Sequence, residues 1–408
     1  MHTTLIPQER VNLRVSSALA SFLVALVGLV AANLMPFMLI GLTARFDTSA
    51  VTAGAIMTAS LLATAVVAVF TLKLVSGPRR RTVAQVGLLL ATVGYAGAAF
   101  SPSMELTTAA VLIAGAGAGA AVSAGGAALA IFRNPSRVMG LNMLFNRTAI
   151  AVLLALIPLI SLSVVTAFGS AALVSLLALV TTLWLPNTIA PEDETNASPA
   201  LTAAPVSRRS ITVAGIGLLV AFPVWALTED SVWAVAGSMG IEQARLSEEM
   251  LGLVLSLSTV GGLVGALLII ALGNRFGRAL PIAVFLLLGV GLKITLTWTT
   301  DPIIFTVALI AGNFAYSILF ALIVATAAAL DATGKWSGPT LGIYLVGSAF
   351  APFFAAAVAE AFGYQTYGLI IAAMNLCLVI PLAIIARLSS RIENTESPSE
   401  PSVLLAQG

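Results

Sequence analysis

Polar positions along this chain come in short clusters, and between them run apolar stretches of about 20 residues. That is the length a helix needs to cross a bilayer, whose interior offers no water to an unpaired backbone group. Twelve such stretches predict spanning helices, over residues 16–41, 51–73, 82–100, 106–131, 140–164, 167–186, 211–236, 250–272, 280–299, 302–328, 339–360 and 366–388. Gly and Pro interrupt several of them, which bilayer helices tolerate when neighbouring helices cover the break. The first stretch follows Arg10 and Arg14, but it is too long for a signal-peptide core and carries no small-residue cleavage site, so a retained helix is expected.

The polar clusters orient the spans. Of the 19 Lys and Arg residues, fifteen fall in loops on one side: Arg10, Arg14, Lys73, Arg79, Arg80, Arg81, Arg133, Arg137, Arg208, Arg209, Arg275, Arg278, Lys335, Arg387 and Arg391. Arg45 and Arg245 lie on the other side, and Arg147 and Lys293 lie within spans. The positive-inside bias then predicts a multi-pass protein of the cell (inner) membrane with both termini cytoplasmic.

Composition narrows the chemistry. With 59% hydrophobic and 9% charged residues, the chain cannot be a water-soluble enzyme, and its solvent is lipid. A net charge of +2 supplies no field for nucleic acid. Cys377 has no second cysteine to pair with, and His2 is the only histidine, so no Cys/His metal site, no His-based triad and no cofactor are expected. No phosphate-binding loop with its Lys follows a strand, which removes ATP as an energy source within the chain.

The segment from Pro186 to Ser210, with Glu192, Asp193, Glu194 and many Ser, Pro, Ala and Thr, reads as a disordered linker. The expected organisation is a six-helix bundle over 1–188, a cytoplasmic linker over 189–209, a second six-helix bundle over 210–388, and a disordered tail over 389–408 with Glu393, Glu396 and Glu400. Slid by 198 residues, the halves align Asp47-Thr48-Ser49 and Gly54 with Arg245-Leu246-Ser247 and Gly252, and Leu74 to Arg81 with Leu272 to Ala279. Matches at equivalent topological positions indicate parallel repeats about an axis along the membrane normal.

The loop after the eighth span, Leu272-Gly273-Asn274-Arg275-Phe276-Gly277-Arg278, resembles the "L-A-D-R-x-G-R-R" loop that the major facilitator superfamily carries after spans 2 and 8. The first copy, Leu74-Val75-Ser76-Gly77-Pro78-Arg79-Arg80-Arg81, is degenerate, and Ser76 and Asn274 stand where that family has Asp. Pro36 late in span 1, Ala53-Gly54, and Gly115, Gly117 and Gly119 in span 4 also fit. The span 4 arginine and span 5 Gly-Pro signature of its proton-coupled drug antiporters are missing. The resemblance, to bacterial efflux-type members, covers essentially the whole chain. It implies an all-α integral membrane fold of twelve helices in two pseudo-symmetric bundles, a conformational loop comprising Ser76, Arg79, Arg80, Asn274, Arg275 and Arg278, and a central cavity lined by spans 1, 4, 7 and 10. The glycine run of span 4 follows no strand, so close helix packing accounts for it better than a nucleotide loop.

Few polar groups remain inside the bilayer, where a charge costs about 2.5–3.5 kcal/mol or more. Trp225, Glu229 and Trp233 recur every four residues, on one face of span 7, with Asp230 beside them. A carboxylate between indoles suits a cationic ligand or a proton. Alternatively, the pair of acids lies roughly 27 Å along the helix and meets outer headgroups. Asn33 in span 1 falls near the same depth under the repeat, and the cavity lining implied by the resemblance adds Asn313, Tyr316 and Phe320. In span 5, Asn142, Asn146 and Arg147 stand out. Arg147 could hold an anion, bond to carbonyls between the halves, or snorkel, and an ion pair with Glu229 is not expected. Lys293 is expected to snorkel to the outer interface, and Glu360 to be solvated.

The sequence thus predicts a monomeric secondary transporter of a small-molecule substrate, no enzyme, with protons as coupling ion and efflux of an amphipathic or weakly cationic compound as the leading expectation. An organic-anion or sugar transporter and a non-transporting receptor are the alternatives.

Overall fold

The computed structural model describes residues 10–187, 207–272, 277–330 and 336–396. Most of the 189–209 linker, together with Asn274 and Arg275, lies outside them. The elements are α1 (Val15–Asn33), α2 (Met35–Phe46), α3 (Ala50–Val75), α4 (Arg80–Phe100), α5 (Met104–Ala130), α6 (Pro135–Ile160), α7 (Val164–Thr181), α8 (Arg208–Glu242), α9 (Glu248–Leu272), α10 (Ala279–Trp298), α11 (Pro302–Leu330) and α12 (Ser337–Glu396).

Eleven helices among the described residues are long and apolar enough to cross a membrane. The last is two spans in one: Gly363, at φ 77°, turns the chain within α12 in a conformation that L side chains rarely adopt. The first span is α1 plus α2, broken at Leu34 because Pro36 has no N–H to donate and crowds the preceding turn. Twelve crossings result, as predicted, but the seventh is longer than expected: α8 continues past 236 to Glu242. The tail also differs at its start, where helix persists through residues 389–396.

The halves share one plan at an offset of 198 residues, visible bond by bond. Ser60 Oγ donates to the Val111 carbonyl at 3.0 Å, and Ser258 Oγ to the Leu309 carbonyl at 3.0 Å. Ser49 accepts the Thr52 N–H at the start of α3, as Ser247 accepts the Met250 N–H at the start of α9. Asp47 and Arg245, both at positive φ, end the preceding helices in the left-handed conformation. Arg45 donates to the Ala99 and Ser101 carbonyls, and Gln243 to those of Leu296 and Thr299.

The loops holding Asp47 and Arg245 define one face of the molecule, here the far face. The opposite, basic face carries the α3–α4 and α9–α10 loops. Among the described residues, three of the four hydrogen bonds between the halves lie toward the far face, Val51 N to Glu360 Oε2, Leu162 N to Glu248 Oε2 and Phe353 N to Thr58 Oγ1, and the fourth, Trp233 Nε1 to the Asn33 carbonyl, lies deeper. Glycine close approaches repeat there too. A Cβ on Gly54 would stand 2.6 Å from the Pro352 carbonyl oxygen, and one on Gly252 would stand 2.7 Å from the Leu154 carbonyl oxygen. Both pairs, 54 with 352 and 252 with 154, map onto each other under the same offset.

Candidate functional site

The extra length of α8 decides the depth of its acids. Asp230 lies 12 residues before the helix end at Glu242, and Arg147 lies 13 before the end of α6 at Ile160. At 1.5 Å per residue both are about 20 Å below the far-face ends, well inside the bilayer. The alternative in which Glu229 and Asp230 meet outer headgroups is thereby corrected.

The Trp225–Glu229–Trp233 face does not act as one cradle, because each side chain finds a different helix. Trp225 is fully buried, stacked on Tyr316 of α11 (centroids 5.2 Å, 14° between planes) and on Phe222 (5.7 Å). Glu229 Oε1 accepts from Lys293 Nζ of α10 at 2.7 Å. Trp233 donates its indole N–H to the backbone carbonyl of Asn33 at 3.2 Å. That carbonyl is free because, at the Pro36 break, the Phe37 N–H turns to Leu34 instead. The Asn33 amide itself donates to the Leu29 carbonyl. What the sequence marks as a polar side chain contributes through its main chain.

Lys293 is the clearest correction. It does not snorkel: its side chain is 3% exposed and reaches toward Glu229. Side chains lean toward the N-terminus of their helix, and for α10 that direction is away from the far face.

Asp230 remains without a cationic partner in contact. It accepts from Tyr344 Oη of α12 at 3.4 Å, and Tyr344 is hydrogen-bonded to Tyr316 Oη, so the two phenols form a chain ending on the carboxylate. Phe320 and Phe222 close the cluster, each with its ring centroid 5.0–5.2 Å from that of Tyr344. Asp230, Tyr316, Phe320 and Tyr344 are each partly exposed, unlike Trp225. Sequence reasoning missed Tyr344. The signal was available, since the repeat places it opposite Asn146.

From the other half, Arg147 lies near enough to act electrostatically on Asp230, Tyr316 and Tyr344. It makes no hydrogen bond or ion pair with another described residue, whereas Asn146, beside it, donates to Asn142 Oδ1 at 3.0 Å and leaves its own Oδ1 buried without a partner. Asn313 faces α9: a Cβ on Gly262 would stand 2.7 Å from its Oδ1. In the other half Thr64, at the position of Gly262, reaches the Gly115 carbonyl, so Asn313 fills a gap that Thr64 fills there.

The conformational-loop residues divide. Ser76 and Arg79 are exposed, and among the described residues Ser76 Oγ bonds to the local Lys73 carbonyl. Arg80 is 1% exposed and donates to the Val75 and Pro186 carbonyls; Arg278, at the equivalent position, is buried and donates to Ser389 Oγ. Each guanidinium thus ties the loop of its half to the end of that half's last span. Among the described residues no cluster of His, Cys, Asp or Glu could hold a metal ion.

The model of the Major Facilitator Superfamily matches residues 20–329. No curated protein sequence matches the chain. Among solved structures, a mutant of the peptide transporter POT superposes with TM-score 0.73 at 14% identity, covering 92% of this chain and 95% of that one. A D-xylose–proton symporter superposes with TM-score 0.70 at 15% identity, covering 92% and 98%. The human organic anion transporter MFSD10 superposes with TM-score 0.59 at 17% identity, covering 90% and 99%. At these identities the likeness shows the fold alone; with the matched family model, twelve crossings and two repeated six-helix halves, the chain belongs to the major facilitator superfamily and is a multi-pass membrane transporter, not an enzyme.

Proposed function

We propose that this protein is a monomeric, proton-coupled secondary transporter that exports an amphipathic or weakly cationic compound across the cell membrane. The observation carrying this reading is Asp230: an acid near the middle of the bilayer, without a cation in contact, joined through Tyr344 to Tyr316 and flanked by aromatic rings. A proton removes the cost of that lone charge, and so does a cationic cargo seated against the rings, which is the exchange an antiporter needs. Few other hydrogen-bonding groups accompany it, which favours such a cargo over a polyhydroxylated one.

In this reading both termini are cytoplasmic, as the bias of basic loops supports. The far face is then extracellular, and the contacts gathered there belong to a state open toward the cytoplasm. The two bundles, 1–188 and 210–388, rock about the site. The test is uptake of ethidium, an amphipathic aromatic probe with a fixed positive charge, into proteoliposomes under an imposed pH gradient. Gradient-driven flux is expected in the wild type and absent in Asp230→Asn; a variant that still follows the gradient overturns the assignment.

A second reading rests on Arg147, whose guanidinium has no partner among the described residues and could anchor an organic anion. Under that reading Arg147→Ala, and not Asp230→Asn, abolishes flux of an aromatic carboxylate probe. Binding without counterflow of either probe would instead favour a receptor.

A further inference from the structure

The Glu229–Lys293 ion pair is not required by packing, and the molecule contains its own control. At the offset of 198 residues the equivalent positions are Ala31 and Tyr95, both buried in the N-terminal half. A half built on the same plan closes this region without ions. Apolar replacements of a buried ion pair are often neutral or stabilising, so stability alone does not explain a charged pair here. Its surroundings keep room for it. A Cβ on Gly289 would stand 3.0 Å from Asn375 Nδ2, 3.6 Å from Lys293 Nζ and 3.9 Å from Glu229 Oε1. Asn375 is fully buried, donates to the Leu286 carbonyl and leaves its Oδ1 without a partner.

What distinguishes this half is that Glu229 adjoins Asp230. Two neighbouring carboxylates in a bilayer repel, and their protons come off as a coupled set unless a cation claims one of them. The charged and titratable groups are already divided. Glu229 faces Lys293 from α10, with Tyr316 from α11 and Tyr367 from the second half of α12 in electrostatic reach. Asp230 faces Tyr344 from α12, Tyr316 from α11 and Arg147 from α6.

We propose that Lys293 is a positioning residue for proton coupling: by holding Glu229 as a carboxylate in the ion pair, it leaves Asp230 as the one acid in the membrane-embedded part of α8 that gains and loses a proton. The inference rests on Asp230 being the proton carrier. The step is a single protonation, carboxylate plus proton giving carboxylic acid, with no other bond changed. Lys293 touches neither cargo nor transferred proton.

Infrared difference spectra of the full chain in lipid, stepped from alkaline to acid, read the high-frequency carbonyl band of a desolvated carboxylic acid without any substrate. The wild type is expected to show one such band, and Asp230→Asn none. Lys293→Met should gain a second band, and the double variant Lys293→Met/Glu229→Gln should return to one. A Lys293→Met spectrum identical to the wild type overturns the proposal, as does a double variant that lacks the band, since the wild-type signal would then belong to Glu229. The double variant reproduces the uncharged solution of the other half, so it keeps the question open to refutation if Lys293→Met does not fold. Asp230→Asn tests the carrier assignment separately, so the two ideas can fail independently.

Discussion

Glu360, at the end of the eleventh crossing, accepts the backbone N–H of Val51 at the start of α3 at 3.3 Å, and this clasp joins the two halves. Its counterpart under the repeat is the Glu248 carboxylate, which accepts the Leu162 N–H at 3.1 Å. Positions 162 and 360 are equivalent, and Glu248 corresponds to Ala50, beside Val51. Acceptor and donor have therefore changed places between the two clasps. Each is an exposed hydrogen bond to a charged group, and together they contribute about 1 kcal/mol to closure of this face.

Removing both clasps should therefore shift the balance of states by about fivefold. Spin labels at Pro102 and Thr300, equivalent positions in far-face loops, report the separation in a Cys377→Ser background. Glu248→Ala/Glu360→Ala should enrich the longer distance. An unchanged distribution would mean that the clasps follow closure without contributing to it.

The glycines beside those clasps give a sharper prediction. A side chain at Gly54 or Gly252 would strike a backbone carbonyl across the interface, which cannot rotate aside. Gly54→Val is expected to prevent the far face from closing and to arrest transport, while leaving the melting temperature in detergent within a few degrees. Gly117→Val is the contrast, because the Cβ there would stand 2.4 Å from the Gly87 carbonyl oxygen within one half, and it should lower stability instead. Equal loss of stability in both variants would refute the distinction.

These interface positions were legible in the sequence, since Gly54 and Gly252 fall in register with the loop motifs that reveal the repeat. The ion pair was not. Glu229 and Lys293 are 64 residues apart on separate spans, and their meeting depends on where α8 ends. The span expected over 211–236 stops short of Gly237, Ser238 and Gly240, yet these remain helical. Gly237 admits Pro36 and Ile40 of α2 against α8. Small residues mark both loops and close helix contacts in bilayers, so the sequence alone leaves the end of this span, and with it the depth of the acids, open between two alternatives.

The basic loops separate address from architecture. Arg79 is exposed, so Arg79→Ala should change stability by less than about 0.5 kcal/mol. Arg80→Ala strands the Val75 and Pro186 carbonyls and should cost about 1–3 kcal/mol, measured as a lower melting temperature in detergent. Equal effects of the two substitutions would mean that the buried guanidinium does not secure the end of the sixth span.

Trp225 separates packing from recognition. Its ring is enclosed between Phe222 and Tyr316, but its indole N–H is buried without a partner, so shape rather than hydrogen bonding holds it. Trp225→Phe keeps an aromatic face in the stack and frees a polar atom from an apolar setting, and it should leave the melting temperature nearly unchanged. Trp225→Ala opens a cavity beneath Tyr316 and should cost about 3–5 kcal/mol. Because Tyr316 is hydrogen-bonded to Tyr344, which reaches Asp230, loosening it should also raise the KM for ethidium several-fold in Trp225→Ala. Thermal melts and flux on the same preparations decide the matter: if Trp225→Phe alone raises KM as much as Trp225→Ala, the indole N–H takes part in binding and the packing account of this residue is wrong.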